Sequence, residues 1–231
     1  MTTITAPPNW RESPMEPHTA KLQWATPGAE EQIVYMARIS ASPEMQSRPD
    51  AALVNYCIRK KHWSIFDMAN ICFGVYTTRT IGRQILRHSA LKPQEFSQRY
   101  QNAAYAGDPI FSKARMQHDT NRQQSIVATD ESLINWWYDA QQEVWDLAVR
   151  RYNEALKREM AKEQARDILP EGLTPTRMFF NGRIRDILTM CAVRSLSHGA
   201  QREAVSVAES VKGILKVVVP TTYTAFFEMD H

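Results

Sequence analysis

Residues 70–91, NICFGVYTTRTIGRQILRHSAL, change their hydrophobic period halfway along. Ile71, Phe73 and Val75 alternate with smaller or polar residues, the period-two pattern of a strand with a buried face. Beyond Thr78, Ile81, Ile85 and Leu86 form one apolar side at helical spacing, and Thr78 or Thr80 is placed to cap the first turn. A strand followed so closely by an amphipathic helix needs a sheet with helices laid on it, an α+β fold. Lys92-Pro93 ends the helix, because a residue before proline is pushed out of the helical region.

The remaining chain reads mainly as helix. KLQWATPG is a short strand ending in a turn. AEEQIVYMARIS opens with acids, as a helix should, and a second helix runs from near Asp50 to before His62. Residues 100–128 lack sustained periodicity and form a long loop, with room for a short strand; loops of such length are often functional. A long amphipathic helix starts at a Thr129 or Asp130 cap and is expected to bury Leu133, Trp136 or Trp137, Val144, Trp145, Ala148 and Tyr152. AKEQARDIL is a short helix ended by Pro170. TRMFFNGRIRDILTMCAVRSL and AQREAVSVAESVKGILKVVV read as the last two helical segments. Residues 1–20, rich in Pro and Thr, read as an extended N-terminal arm, and residues 21–231 as a single α+β domain.

The net charge of +3 over 231 residues is too mild for a general nucleic-acid binder. No apolar run approaches the roughly 20 residues that span a bilayer, and no charged-then-apolar leader opens the chain. Three widely spaced cysteines, Cys57, Cys72 and Cys191, suit free thiols in a reducing compartment rather than a metal site or a disulfide scaffold. The expectation is a cytoplasmic protein with no metal, no nucleic acid and no membrane among its partners.

Local arginine clusters carry more information than the total. Arg79, Arg83 and Arg87 stand at i, i+4 and i+8 on the helix after the strand, and residues 77–94 contain no Asp or Glu. Like charges at that spacing repel, so something outside must neutralise them: solvent, a distant carboxylate or a bound anion. QEFSQRY follows the proline. Its Ser and Arg suit a phosphate, and Glu95 suits a sugar hydroxyl, although on this segment alone an ordinary polar turn with an internal Glu–Arg pair is the better account. Arg166, Arg183, Arg185 and Arg194 lie among apolar residues and must be paired if buried, with Asp167 and Asp186 the plain structural partners. In KHWSIFDMA, His62, Ser64 and Asp67 frame two aromatics, as a capped helix entry would. GxSxG, HExxH, GxxxxGK and GxGxxG are all absent. Any enzymatic chemistry is therefore expected to rest on a bound cofactor, with arginines holding anions, although spacing leaves open a nucleophile assembled in three dimensions.

HWSIFDMANICFGVYTTRTIGRQILRH and QEFSQRY closely resemble the flavin-dependent thymidylate synthases. That family's signature is Arg-His-Arg, seven residues, then Ser, within a stretch ending Glu-x-Ser-x-Arg-Tyr. NRQQS, ARDILP, NGRIRD and AVRSLSHGAQREA agree in order, so the resemblance covers roughly residues 30–225. It implies α+β subunits with a central, mostly antiparallel sheet and long helices, assembled as a homotetramer with sites at subunit interfaces. It implies FAD as cofactor, NADPH as reductant and methylenetetrahydrofolate as carbon donor. The product is a uridylate, dUMP or UMP, methylated at C5 with no protein nucleophile attacking C6.

Carried over residue by residue, the resemblance assigns Gln84 and Arg87 to the nucleotide, and Glu95, Ser97, Gln98 and Arg99 to its phosphate and sugar. Arg166 adds a contact from another subunit, and Arg194 bonds the uracil and stabilises charge as C5 becomes nucleophilic. His62, Ser64, Asp67, Arg87, His88, Ser89, Arg185 and Thr189 fall at flavin-lining positions. The signature's second Arg is Ser89 here, Lys92 stands three residues later, and an extra residue separates Arg194 from Gln201. These departures suggest a branch that methylates UMP for polyoxin-type nucleoside antibiotics, with the 89–93 and 117–131 loops making room for a 2′-hydroxyl. A non-catalytic nucleotide- or flavin-binding paralogue is the alternative.

Overall fold

The computed structural model describes residues 15–229. In chain order its elements are β1 (Thr19–Ala25), α1 (Ala29–Ala37), α2 (Pro43–Gln46), α3 (Asp50–Arg59), β2 (Asn70–Thr78) and α4 (Arg79–Leu86). There follow β3 (Lys92–Glu95), β4 (Arg115–Gln117), β5 (Ser125–Val127), α5 (Glu131–Lys157) and α6 (Lys162–Ala165). The last are β6 (Pro175–Arg183), α7 (Ile184–Val193), α8 (Arg202–Val218) and α9 (Pro220–Phe227). Four strands form one antiparallel sheet in the order β1-β2-β6-β3, and β4 and β5 make a separate hairpin.

The alternation along β2 puts Ile71, Phe73 and Val75 on one face, opposite Gly182, Phe180 and Met178 of β6. All of these apolar side chains are buried, and the Phe73 and Phe180 rings stack with centroids 5.7 Å apart. Residues of α1, α3, α4, α7, α8 and α9 complete the core on that face. Gly182 is needed where it stands, because a Cβ there would collide with the buried Leu91 side chain. The opposite face carries Phe179, Cys72 and, past a bulge at Gln23, Trp24, which is 50% exposed.

Both central strands run into helices without a loop. Thr78 ends β2 and caps α4, its hydroxyl accepting from Ile81 N at 3.4 Å. Asp130 caps α5 in the same way, accepting from Ser132 N at 2.9 Å.

Four readings of the sequence are corrected. TRMFFNGRIRD was taken as helix, yet residues 175–183 are β6, and the helix begins at Ile184. A short apolar run satisfies both periods, and pairing with β2 decides in favour of the strand. Residues 92–95, where the sequence shows only a helix end and the start of a polar segment, form β3. As an edge strand it tolerates Pro93. The loop at 100–128 contains a hairpin rather than one short strand. On α5, Trp136 and Val144 are exposed and Leu133, Trp137 and Trp145 only partly covered, while Ala148 and Tyr152 are buried.

Of the stretch read as an arm, residues 1–14 lie outside the described residues. Its end is built into the sheet: His18 N donates to Tyr76 O at 2.8 Å, and β1 starts at Thr19. The His18 Nδ1 lies 2.8 Å from Thr77 Oγ1. Burial and then the Arg115 charge lower its pKa from 6.5 to about 4. The neutral ring is thus the form the fold accepts. Its contribution to stability is complete above pH 6.5 and is lost as pH falls towards 4. The expected loss over that window reaches roughly 2–3 kcal/mol, and His18→Gln should flatten this part of the profile. Urea unfolding at several pH values measures it; a wild-type profile no steeper than that of His18→Gln contradicts the assignment.

Candidate active site

The arginine row on α4 does not wait for one ligand along its whole length. Arg79 is nearly buried and pairs with Glu95 (Nη1–Oε1 3.2 Å) and Glu171 (3.6 Å), while Arg83 pairs with Glu171 at 2.9 Å. Carboxylates distant in sequence therefore neutralise the first two turns. Arg87, at the helix end, is exposed and has no ion pair among the described residues.

Beside Arg87 stands Arg194, where α7 ends. Its Nε donates to His88 Nε2 at 3.0 Å and its Nη2 to the Gln84 carbonyl at 2.5 Å. No carboxylate pairs with it, and Nη1 has no bond among the described residues. A guanidinium has only donors, so His88 Nε2 must offer its lone pair and the ring proton sits on Nδ1. Burial and the Arg194 charge hold the His88 pKa below its ordinary value, which keeps that arrangement intact. Burial and Arg87 in turn lower the Arg194 pKa. The Gln84 amide Nε2 donates to Gln201 Oε1 at 2.8 Å. Gln84, Arg87, His88 and Arg194 are thus brought together at the junction of α4 and α7.

The second group lies after β3. Glu95 Oε1 accepts from both Arg79 and Thr176 (2.9 Å), so both bonds use one oxygen and Oε2 has no partner among the described residues. Gln98 is buried at 3% exposure, and its Nε2 has no partner. A buried donor without an acceptor costs stability unless a ligand or a second chain satisfies it. Arg99 pairs with Glu163 at 3.1 Å, and Arg166 Nε donates to the Glu163 carbonyl at 3.2 Å, which places Arg99 and Arg166 together. Ser97 O accepts from Gln101 N, a turn bond.

The flavin-lining set falls in three places. His62 and Ser64 line a cleft of about 750 Å³ walled by Met36, Leu53, Tyr56 and Met68. Asp67 pairs with Arg185 at 3.2 Å and Arg183 at 3.4 Å, and its Oδ1 is buried without a hydrogen bond. Arg183 also holds Asp186 at 2.6 Å, and the Thr189 hydroxyl donates to Arg185 O at 3.0 Å. His88 belongs to the Arg194 group. Ser89 is exposed, with its carbonyl 3.4 Å from Lys92 Nζ. A cleft with apolar walls and a polar rim is suited to a flat ring system. His62 and Ser64 on the wall of that cleft fit a flavin; Asp67 does not line it, and its unsatisfied oxygen is a separate acceptor beside Arg183 and Arg185.

Gln201 was the residue sequence reasoning held back from the site, because the extra residue before it upset its spacing. The structure nevertheless brings Gln201 onto Gln84, after a left-handed turn at Gly199 (φ +71°). The Arg115–Glu203 ion pair behind it was not foreseen at all. Its partners are 88 positions apart and share no motif.

None of the three cysteines is poised as a nucleophile. Cys57 and Cys191 are buried, and burial pushes all three thiols up from their ordinary pKa.

A family model described as thymidylate synthase complementing protein (Thy1) matches residues 21–221. A probable flavin-dependent thymidylate synthase of Paramecium bursaria Chlorella virus 1 is 42% identical over 188 residues, 80% of this chain and 85% of its own length. The flavin-dependent thymidylate synthase of Synechocystis sp. is 38% identical over 193 residues, 84% of this chain and 87% of its own. Among solved structures, the UMP/dUMP methylase PolB from Streptomyces cacaoi bound with 5-Br dUMP superposes with a TM-score of 0.80. The identity is 21%, and the match covers 91% of this chain and 95% of that one. The same methylase bound with 5-Br UMP gives 0.76 over 90% and 92%.

Proposed function

The chain belongs to the Thy1 family, the flavin-dependent thymidylate synthases, and is an enzyme of that kind; from this premise we propose that it methylates C5 of a uridine monophosphate, dUMP or UMP, reductively. In this reading methylenetetrahydrofolate gives the carbon, NADPH the electrons, and the flavin is FAD. The observation that carries the proposal is Arg194, a half-buried guanidinium with no carboxylate, held by a neutral imidazole and a backbone carbonyl.

Arg194 Nη1 is the donor left for a uracil carbonyl oxygen. Charge builds on that oxygen's conjugated system as C5 becomes nucleophilic, and a fixed cation stabilises it without reorganising. Arg87 supplies the adjacent phosphate or flavin contact, and Gln84 holds the nucleotide from α4. Bound flavin supplies the redox chemistry that the side chains lack; His62, Ser64, Asp67, His88, Ser89, Arg185 and Thr189 would hold it. The elevated thiol pKa values support a route without cysteine attack on C6.

Glu95, Ser97, Gln98, Arg99 and Arg166 form a group of their own, and in this reading they complete the site of a neighbouring subunit in a homotetramer. The exposed apolar side chains of α5, Val144 and Leu147 among them, and the unsatisfied Gln98 amide support such an assembly. The catalytic unit is residues 21–231, acting in the cytoplasm on a free nucleotide rather than a nucleic acid. No helix among the described residues is long and apolar enough to cross a membrane.

Ser89 in place of the signature Arg, with Lys92 Nζ beside its carbonyl, supports a specialised branch that accepts UMP and serves nucleoside antibiotic synthesis. UMP and dUMP assayed side by side, with the methylated product read by mass, test both levels. Turnover of either supports the methylase. Turnover of dUMP alone removes the UMP branch, and a protein that takes up no flavin and methylates neither is the binding paralogue.

A further inference from the structure

A second polar cleft, of about 560 Å³, opens beneath the β4–β5 hairpin and against the start of α5. Lys113, Arg115 and Arg122 line it, with Glu203 as the one lining carboxylate. Arg115 takes up both oxygens of Glu203 in a nearly buried pair, so that pair contributes no free charge. Lys113 and Arg122 have no ion pair among the described residues. Two cations are therefore left over in a concave wall. Trp136, 61% exposed, lies against the same cleft, and its neighbour Trp137 is fixed by Nε1 donating to Ser112 O at 3.0 Å.

The walls are preformed. Gln124 Nε2 donates to Leu196 O at 3.1 Å, and Arg202 Nη2 to Ser125 O at 3.3 Å. Together with Arg115–Glu203 these bonds fasten the hairpin to the turn that follows Arg194. Gly199 lets that turn approach closely, since a Cβ there would stand 2.7 Å from Gln123 Oε1. The cleft also shares a residue with the active site: Gln201 lines it and bonds Gln84.

We propose that this cleft binds the phosphorylated adenosine end of the dinucleotide reductant, with Lys113 and Arg122 on phosphate and the Trp136 indole as a platform for the purine. Arginine and lysine suit phosphate oxygens, and an exposed indole is a stacking surface for any base. Gln201 links the cleft to Gln84 and so to the group that holds His88, one of the residues assigned to the flavin that the reductant must reach. The inference rests on the reading of the chain as a reductive methylase.

The test uses the full chain loaded with FAD and nucleotide, and 2′-phospho-ADP-ribose, which has the adenosine end but cannot reduce the flavin. Tryptophan quenching should report binding that weakens with salt. The double variant Lys113→Ala/Arg122→Ala should weaken it about tenfold or more, and Trp136→Leu should remove most of the quench. Both should raise KM for NADPH about tenfold while KM for the uridylate stays the same. Equal probe binding in wild type and variants overturns the proposal. So does a variant effect on a glutamylated folate in place of the probe, or a loss confined to variants that change assembly on gel filtration. A protein that methylates no uridylate but binds the probe through these residues sinks the methylase reading and upholds the cleft.

Discussion

Arg194→Ala should lower methylation by about 10²- to 10³-fold, the effect of removing one preorganised donor from developing negative charge. The loss should appear in kcat and kcat/KM alike, because the interaction matters most in the transition state. The fold should survive. Arg194 makes no ion pair, and its two bonds go to a half-buried imidazole and to a carbonyl at the end of α4. Circular dichroism and flavin absorbance of the variant should match wild type. Arg194→Lys should recover little, since an ammonium cannot hold His88 and Gln84 O while still presenting a third donor in the guanidinium plane. Turnover within about threefold of wild type in Arg194→Ala, with the fold intact, refutes the catalytic role.

The largest stability effect is expected at Phe180. Its ring is fully buried on β6 and stacks on Phe73 at the centre of the sheet's covered face. Truncation to alanine should cost about 3–5 kcal/mol, the transfer energy of the ring plus the cavity left behind. Against a total stability of about 5–15 kcal/mol, that should bring unfolding down by roughly ten degrees for a chain of this size. Thermal unfolding at fixed flavin and nucleotide concentration measures it. A loss under about 1 kcal/mol places Phe180 outside the core. Phe179, its neighbour on the other face and 38% exposed, is the natural control.

The parts of the fold legible in the sequence were those where one period ran long enough to stand alone. β2 and α4 were clear because the alternation and the helical stripe meet at a threonine able to cap. α5 was clear in extent but not in burial, since amphipathic spacing marks an apolar face without saying whether the same chain covers it. β6 was misread because MFF offers three consecutive apolar residues, and only pairing with β2 separates Met178 and Phe180 from Phe179.

The candidate site could be read from the sequence only as residue types. The Arg79 and Arg83 partners could not be read there, because Glu171 reaches them from across the fold. Nor could the imidazole that holds Arg194, 106 positions away. Charge patterns along a chain show where cations gather; which of them stay unpaired is decided by tertiary contacts.

Leu91 fills the space over Gly182, and residues 89 and 90 before it are exposed at the edge of the sheet. The turn is thus anchored by one side chain at its end and is otherwise uncommitted to the core. Substitutions at the exposed positions 89 and 90 therefore carry little folding penalty, since no core contact depends on them. A change such as the serine at position 89 is the kind of exchange this arrangement lets evolution sample cheaply, whereas Gly182 and Leu91 can only change as a pair.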